Sequence, residues 1–506
     1  DVAPSRGLGD VYKRQDMEWV LEKQLQQPLQ LFKIIWKADN TYIGLNDVMS
    51  QTGWTPYMVN RVLTDVSDIY HSMTALYSGV LLSEVNILNI ANLQKVQYTD
   101  LMAYLFKRSL AVSILIDIFF ERVTSNEGIA QRYASSKNTI RQMKNDLNRK
   151  LETIGLSISK DYKIVGNERT IRLFFFNIFY TSYVDDQFPF NSLVRQQAIQ
   201  VELILRRTAN TQLTMKHAIR YAYAVWCVRV SHGHYLTENI QDPLKPEDML
   251  SSMMQKRLRL LDNIIAPMFP AKPAIKTMEL RSVLSAIYAF GEIDHSAEDL
   301  TPAMTAKFDD IKLAIANAYV KTFHRAIQPS ILEKLEKVLF PLHFRLLYFG
   351  TSGIGQPINK QQYAEEFPIH YQFVTTVALE LQTVFIDCDN LFDKILTEYL
   401  TATIMNFEVS ETLPVVTVTL DMADLPALQK YIAQILMNLP GLYIHVTNQF
   451  VKRTDFYISN VVLRQDVKGV VWRTLPTKDE VSHLKEELTK IERKKIQNMR
   501  RCSGSN

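Results

Sequence analysis

Apolar and polar positions repeat with two different periods along this chain, and the change of period divides it. Over 137–154, Ile140, Met143, Leu147, Leu151 and Ile154 recur at three- and four-residue intervals, the spacing of a helix with one buried face. Ahead of it, 128–133 can form a short helix, Ala134-Ser135-Ser136 a turn, and Ser135 or Ser136 an N-cap for the longer helix. Behind it, Gly155 can end the helix, and 156–159 and 162–165 alternate apolar with polar around Lys160-Asp161, which predicts a small hairpin.

Short helix, turn, long helix and hairpin in this order spell a winged helix-turn-helix. The face opposite the apolar stripe carries Lys137, Asn138, Arg141, Lys144, Asn145, Asn148 and Arg149, residue types that bond to phosphates and to base edges in a major groove. From Gln131 to Lys150 there are six Lys/Arg (Arg132, Lys137, Arg141, Lys144, Arg149, Lys150) against one acid, Asp146, although the whole chain of 506 residues carries a formal charge of only +4. Basicity is therefore local, as a DNA footprint requires. An ordinary amphipathic helix with a solvated basic face would share the charge but not the turn and hairpin around it. Double-stranded DNA is the expected partner, with Arg141, Lys144, Asn145 and Asn148 facing the groove, Lys137 and Arg149 holding phosphates, and Tyr162 and Lys163 setting the wing on the backbone.

Upstream lies a second candidate of the same type, with helices expected over 29–37, 44–52 and 55–70. Its third helix holds Arg61 but also Asp65 and Asp68, which leaves two readings open: a helper that contacts phosphates, or a packing and dimerisation unit. A helix over 103–120, with Leu105, Leu110, Ile114 and Ile118 on one side, is expected to support the basic unit. From 171 to about 399 the period is nearly all helical, as in 193–207, 215–231, 278–290 and 331–348, with Pro and Gly gathered at 242–243, 267–273 and 350–357. Two helical bundles fit this pattern, with a break near 270–275. From Pro414 the period shortens: VVTVTL reads as a buried strand, 425–438 as an amphipathic helix, and 442–447 and 455–459 as strands, which predicts a small α/β domain. The last helix, 478–499, ends in the basic runs Arg493-Lys494-Lys495 and Arg500-Arg501, read as a solvated terminus.

Composition adds limits. The chain is 47% hydrophobic and 22% charged, as ordinary globular protein is. Cys227, Cys388 and Cys502 stand far apart and form no C-x-x-C, so neither a disulfide framework nor a zinc site is expected. The longest apolar run, 110–120, is broken by Ser113 and Asp117 and falls well short of a membrane span. No signal peptide is evident, so a cytoplasmic location and no membrane partner are expected. Residues 1–15, DVAPSRGLGDVYKRQ, lack any amphipathic pattern and resemble adapter-derived read-through, with Met17 as the candidate start. The chain contains no G-x-x-x-x-G-K-[ST], H-E-x-x-H, G-x-S-x-G or Rossmann fingerprint, and the glycine-rich GTSGIGQP at Gly350 lies between helices and reads as a loop. No cofactor and no enzymatic activity are expected.

The order of these units resembles the Mga/AtxA-like bacterial transcription regulators over about 17–500, most specifically in GLSISKDYKIVGNERTIRLFFFNIFY (155–180) and RVSHGHY (229–235). The resemblance implies a mainly α multidomain protein: a non-native leader (1–15), an N-terminal winged helix-turn-helix (16–100), a second one that is the main DNA reader (101–168), two helical-bundle PRD domains (169–274 and 275–408) and a C-terminal small α/β, EIIB-like domain (409–500). It further implies a homodimeric activator whose PRD histidines can be phosphorylated by phosphotransferase-system phosphocarrier proteins. His217 is the first candidate by its place in the first bundle, His343 the second, with His234 and His324 beside them; His232 stands at the same helix end as His234. A parent EIIB enzyme needs a cysteine and a phosphate-cradling loop after its first strand, whereas this chain reads LDMADLP there, so the domain is expected to bind and dimerise rather than transfer phosphate. The alternative reading, an RNA-binding antiterminator with PRD domains, calls for a small all-β domain at the start, where this sequence predicts mostly helix.

Overall fold

The computed structural model describes residues 17–38, 42–73, 83–84, 87–90, 93–183, 188–206, 213–236, 243–268, 273–289, 297–349, 360–386, 388, 390–407, 414–422, 424–439, 442–463 and 466–503. They fall into two compact units, one drawn from Asp1–Leu313, Leu339–Asn359 and Leu381–Ile395, the other from Ala314–Val338, Lys360–Glu380 and Leu396–Asn506. The GTSGIGQP segment and the proposed leader lie outside the described residues.

The first unit opens with a winged helix: α1 (Lys23–Lys37), β1 (Tyr42–Gly44), α2 (Leu45–Thr52), α3 (Pro56–Ser72), β2 (Ser83–Glu84) and β3 (Ile87–Asn89), its strands antiparallel in the order β1-β3-β2. Local chemistry places the turn between α2 and α3. Gly53 takes a left-handed φ of 69° that ends α2, and Thr55 caps α3 by accepting a 3.3 Å bond from the Met58 amide ahead of Pro56.

Next come α4 (Tyr98–Arg108), α5 (Leu110–Phe119), α6 (Asn126–Arg132), α7 (Lys137–Glu152), β4 (Leu156–Ile158) and β5 (Ile164–Gly166). The single supporting helix expected over 103–120 is in fact two. Ser109 is extended, its side chain caps Val112 N at 3.1 Å, and the Glu22 carboxylate closes the new N-terminus by accepting from Ser109 Oγ at 2.7 Å and Ala111 N at 2.8 Å. The apolar period runs unbroken through this point, so it alone hides the break. Ser109 was the available signal.

The helices α8 (Glu168–Ser182), α9 (Ser192–Arg206), α10 (Leu213–Ser231), α11 (Ser252–Ile265) and α12 (Pro273–Ala289) follow. Their core is continuous with that of the winged unit: Phe119 of α5 packs on Phe175 and Phe179 of α8 at ring distances of 4.7 and 5.0 Å and on Phe190 at 6.3 Å. The helices α13 (Pro302–Phe323), α14 (Pro329–Phe349), α15 (Lys360–Glu366), α16 (Pro368–Leu381) and α17 (Leu391–Asn406) complete the helical region. The division between the two units runs through α13, α14, α16 and α17, whereas the break expected near 270–275 falls within the span of the first unit.

The second unit contains the α/β region: β6 (Val415–Asp421), a helix Pro426–Met437, β7 (Tyr443–Thr447), β8 (Phe456–Ser459), β9 (Gly469–Val471) and the terminal helix Lys478–Ser503. The sheet is wholly parallel, in the order β7-β6-β8-β9. Parallel strands of one sheet usually need a crossover of about a dozen residues or more, yet residues 448–455 suffice to pass from β7 to β8 on the other side of β6. Stagger explains this: β7 leaves off opposite Thr419, and β8 begins opposite Val418, so the chain returns along the strand by hardly more than one position. Val416, Val418, Leu420, Ile432, Ile458, Trp472 and Leu488 fill the core beneath.

Candidate nucleic-acid interface

Ser125 caps α6 and Ser136 caps α7, accepting from the amides of Gly128 at 3.1 Å and Thr139 at 3.0 Å. Between them Ala134 adopts a φ of 47°, and the Ser135 amide bonds Ala130 O at 2.9 Å. Buried Asp117 of α5 ties the turn down, accepting from the Tyr133 hydroxyl at 2.7 Å while pairing with Arg132 at 2.7 Å and Arg122 at 3.6 Å. Burial, then the bond and charge of Asp117, push the Tyr133 hydroxyl up to about 12, so it stays a donor. Ile140, Leu147 and Leu151 are buried and Met143 and Ile154 half-buried, which leaves the opposite face of α7 outward.

On that face Lys137, Asn138, Arg141, Asn145 and Arg149 are exposed. Lys137 pairs with Glu127 at 2.9 Å, and this bond and charge hold the Glu127 carboxyl below its usual range. Arg149, its side chain 76% exposed, pairs with Asp146 at 3.0 Å; half-buried Lys150 reaches Asp146 at 2.8 Å and Leu21 O at 3.2 Å. Part of the local positive charge counted in the sequence is thus paired, with Arg149 and Lys150 sharing the one Asp146 carboxylate, while Arg141 and Lys144 make no ion pair among the described residues.

Two expected groove readers lie elsewhere. Lys144 donates to Ser159 O at 2.6 Å and stands 4.0 Å above the Tyr162 ring, and burial lowers its ammonium below the usual range. Asn148 grips the wing with both ends of its amide, accepting from Ile158 N at 2.6 Å and donating to Ile158 O at 3.2 Å. Both side chains brace the wing against α7. Tyr162, expected to set the wing on the DNA backbone, is 2% exposed, has a φ of 57° and hydrogen-bonds Asn126, so it is a core residue of the wing. Lys163 is exposed as expected. Gln142 on α7 and Lys160 at the wing tip are exposed too, although sequence reasoning did not single them out. Gln142 was recoverable from its helical phase alone.

The upstream winged helix presents a different surface. Arg61, the sole Lys or Arg of α3, donates to Gln27, and exposed Asp68 stands on the same helix.

Residues 94–179 match the family model described as the Mga helix-turn-helix domain. These residues form a domain of that kind. A curated relative in Streptococcus pneumoniae serotype 4, "Putative trans-acting regulator", is 24% identical over 227 residues. The match covers 44% of this chain and 44% of the relative, so the chain spans less than half the length of the curated relative it matches.

The Mga domain reaches past the wing to include most of α8, and the structure shows why these belong together. Asn167 caps α8 one residue after β5, and Glu168 in the first turn pairs with Arg172 at 3.0 Å and with Arg229 of α10 at 2.6 Å. Arg172 also meets buried Glu279 of α12 at 2.6 Å, which accepts from Trp226 Nε1 at 2.9 Å and Leu236 N at 2.8 Å. The wing is therefore joined to the helices behind it by a buried chain of charges.

The candidate histidines fall in different settings. His343, the second choice for phosphorylation, is 2% exposed. Burial and then the Arg345 charge hold its imidazole down to about 3, so it stays neutral inside the helix packing. Its neighbours three and four positions away on α14, Leu339, Phe340, Leu346 and Leu347, are all apolar, and that was the signal for burial. His217 is half-buried on α10, and His324 is exposed at the end of α13 with a φ of 54°. His234 is half-buried just past α10 and its Nε2 bonds Glu121 at 2.6 Å, while His232 stands 3.9 Å from the same carboxylate. Burial pushes Glu121 up, but the His234 bond and the charges of His234, His232 and Lys163 outweigh it and hold the carboxyl below its usual range.

After β6, the LDMADLP segment puts Asp421 and Asp424 at the carboxyl edge of the sheet, where Asp424 accepts two bonds from Asn460 at 2.6 and 2.7 Å. That edge is where open α/β sheets hold ligands, and its carboxylates disfavour phosphate. No group of side chains suited to a metal ion occurs among the described residues, and no described helix is long and apolar enough to cross a membrane.

Proposed function

We propose that the chain is a duplex-DNA-binding transcription regulator of the Mga type, with α7 in the major groove. The observation that carries this is the exposed face of α7, with Arg141, Asn138 and Asn145 outward, flanked by a wing that Lys144 and Asn148 fix to the same helix. Asn145 and Asn138 read base edges together with Gln142, Arg141 reads a base or a phosphate, and Lys137, Arg149, Lys160 and Lys163 hold the backbone. Fluorescence anisotropy on promoter fragments from the source genome tests the reading. Arg141→Ala is expected to weaken binding and flatten its salt dependence; affinity unchanged across a salt series contradicts the assignment.

We further propose that the protein acts as a homodimeric activator in the cytoplasm and that phosphotransferase proteins tune it through His217, His234 or His324. His234 has the clearest physical consequence. A phosphoryl group on Nε2 replaces its bond to Glu121 with about two negative charges against a carboxylate at the end of α5, pushing the Mga domain and α10 apart. Exposed Tyr431 and Met437 on helix Pro426–Met437 favour the C-terminal region as the dimer contact. Incubation with phosphoenolpyruvate and the general phosphotransferase enzymes, followed by mass spectrometry, is expected to label one of these three histidines and never His343. Labelling of His343, or of no histidine, contradicts the regulatory part of the proposal.

A further inference from the structure

Where the upstream winged helix meets α4, the helices α1, α3 and α4 surround a cavity of about 380 Å³ that opens to solvent. Its size falls in the range of small-molecule sites, roughly 300–1,000 Å³. Arg61, Asp65, Asp68 and Ser72 succeed one another at four, three and four positions, so one side of α3 lines the cavity over about 16 Å. Leu25 and Pro28 of α1 and Tyr104 of α4 supply an apolar wall.

The charges around this cavity are not paired with one another. Arg61 and Asp65 stand about one helical turn apart, the spacing at which opposite charges on a helix pair, yet the Arg61 guanidinium donates to the side-chain amide of buried Gln27. Arg108 comes from α4 and donates to the Tyr104 hydroxyl at 2.5 Å. Neither the Asp65 nor the Asp68 carboxylate makes a hydrogen bond or an ion pair among the described residues. Two cations held by neutral groups thus share a cavity with two free carboxylates, and Arg61, Asp68 and Arg108 are exposed and Asp65 half-buried. The four charges sum to zero. A net-neutral ligand carrying both signs engages both kinds of group, whereas an anion or a cation meets one kind that repels it.

We propose that this cavity binds an amino-acid zwitterion, its carboxylate accepting from the Arg61 guanidinium, its ammonium donating to Asp65, and its apolar side chain lying on Leu25, Pro28 and Tyr104. One turn of α3 separates Arg61 from Asp65, so a carboxylate and an ammonium on the same carbon reach both. A planar carboxylate also suits the guanidinium fork. Asp68 and Arg108 complete the balance of charge. The cavity joins α3 of the upstream winged helix to α4 of the Mga domain, so an occupied site ties the two together. Any effect on transcription rests on the DNA-binding reading above, whereas the binding itself does not and is tested without DNA.

The test is isothermal titration calorimetry of the full chain with L-leucine and, in parallel, with 4-methylpentanoate, which lacks the ammonium, and 3-methylbutylamine, which lacks the carboxylate. Saturable binding of L-leucine near one equivalent, at least tenfold tighter than either analogue, is expected. Asp65→Asn keeps the shape of a side chain that holds no partner in the fold, and is expected to weaken L-leucine at least tenfold; Arg61→Gln is expected to do the same. Thermal melts check that both variants fold, and the ratio of L-leucine to its two analogues on the unmodified chain decides the question even if they do not. Absence of saturable L-leucine binding, equal affinity for either analogue, or unchanged affinity in folded Asp65→Asn would each overturn the proposal.

Discussion

Asn145 and Asn148 are the same residue type three positions apart on α7; the structure bonds Asn148 to the wing and leaves Asn145 exposed, where the proposed function makes it a base reader. Replacing Asn148 by Ala deletes the 2.6 Å and 3.2 Å bonds to Ile158, at about 0.5–1.5 kcal/mol each, so the wing loses about 1–3 kcal/mol of local stability. Replacing exposed Asn145 by Ala deletes no bond within the chain, and the change in stability stays within about 0.5 kcal/mol, helped by the better helix propensity of Ala. On DNA the order reverses. A bidentate Asn-to-adenine contact is worth about 1–3 kcal/mol, so Asn145→Ala should weaken a cognate site by one to two orders of magnitude and relax preference at one base pair. Hydrogen exchange over 153–168 reads the first effect and anisotropy against a set of single-base operator variants the second. Asn148→Ala should speed wing exchange roughly 5- to 150-fold, while Asn145→Ala leaves it unchanged. Equal protection of the wing in both variants, or loss of protection in Asn145→Ala, would refute the division of labour.

Three further outcomes follow from buried charge. His343 has a folded pKa of about 3, well below its unfolded value, so its contribution is fully present above about pH 6.5 and lost as pH falls toward 3. By pH 5 that loss is about 2 kcal/mol, and His343→Leu should show a smaller drop in melting temperature between pH 7.5 and 5 than the unmodified chain. His370, which burial holds down to about 4, acts in the same direction in the second unit and is the control that should keep its own share. Glu279→Ala strips partners from Arg172, Trp226 and Leu236 and should cost about 3–5 kcal/mol, seen as a lower urea midpoint; a loss within about 0.5 kcal/mol would mean that the charge network contributes nothing.

The architecture was largely legible in the sequence because each element of the Mga domain announces itself locally. Ser136 caps, Gly155 ends at a φ of 71°, and the period-two hairpin pairs Ser157 with Val165 as its alternation requires. What escaped was direction at the margins of a face. At about 100° per residue, Lys144 lies only about 60° from the centre of the buried stripe, on the side where the wing packs, while Asn145 lies near the centre of the open face. A list of polar residues treats the two alike; only the wing's position separates them. Burial of His343 and Tyr162 escaped for a related reason, since a polar or amphipathic residue inside an apolar pattern can be either a site or a satisfied core group, and tertiary packing decides. The parallel sheet without crossover helices between β7, β8 and β9 depends on stagger, which no local pattern encodes.

The most direct test of the central claim is the affinity of the full chain for a duplex promoter fragment across a salt series, with and without Arg141→Ala. Phosphate contacts make log K fall with log salt by about 0.9 per contact. The account predicts a steep slope for the unmodified chain, set by Lys137, Arg141, Arg149, Lys160 and Lys163, and a slope shallower by about 0.9 with weaker binding in the variant. Binding insensitive to salt, or identical curves for the two proteins, would contradict it.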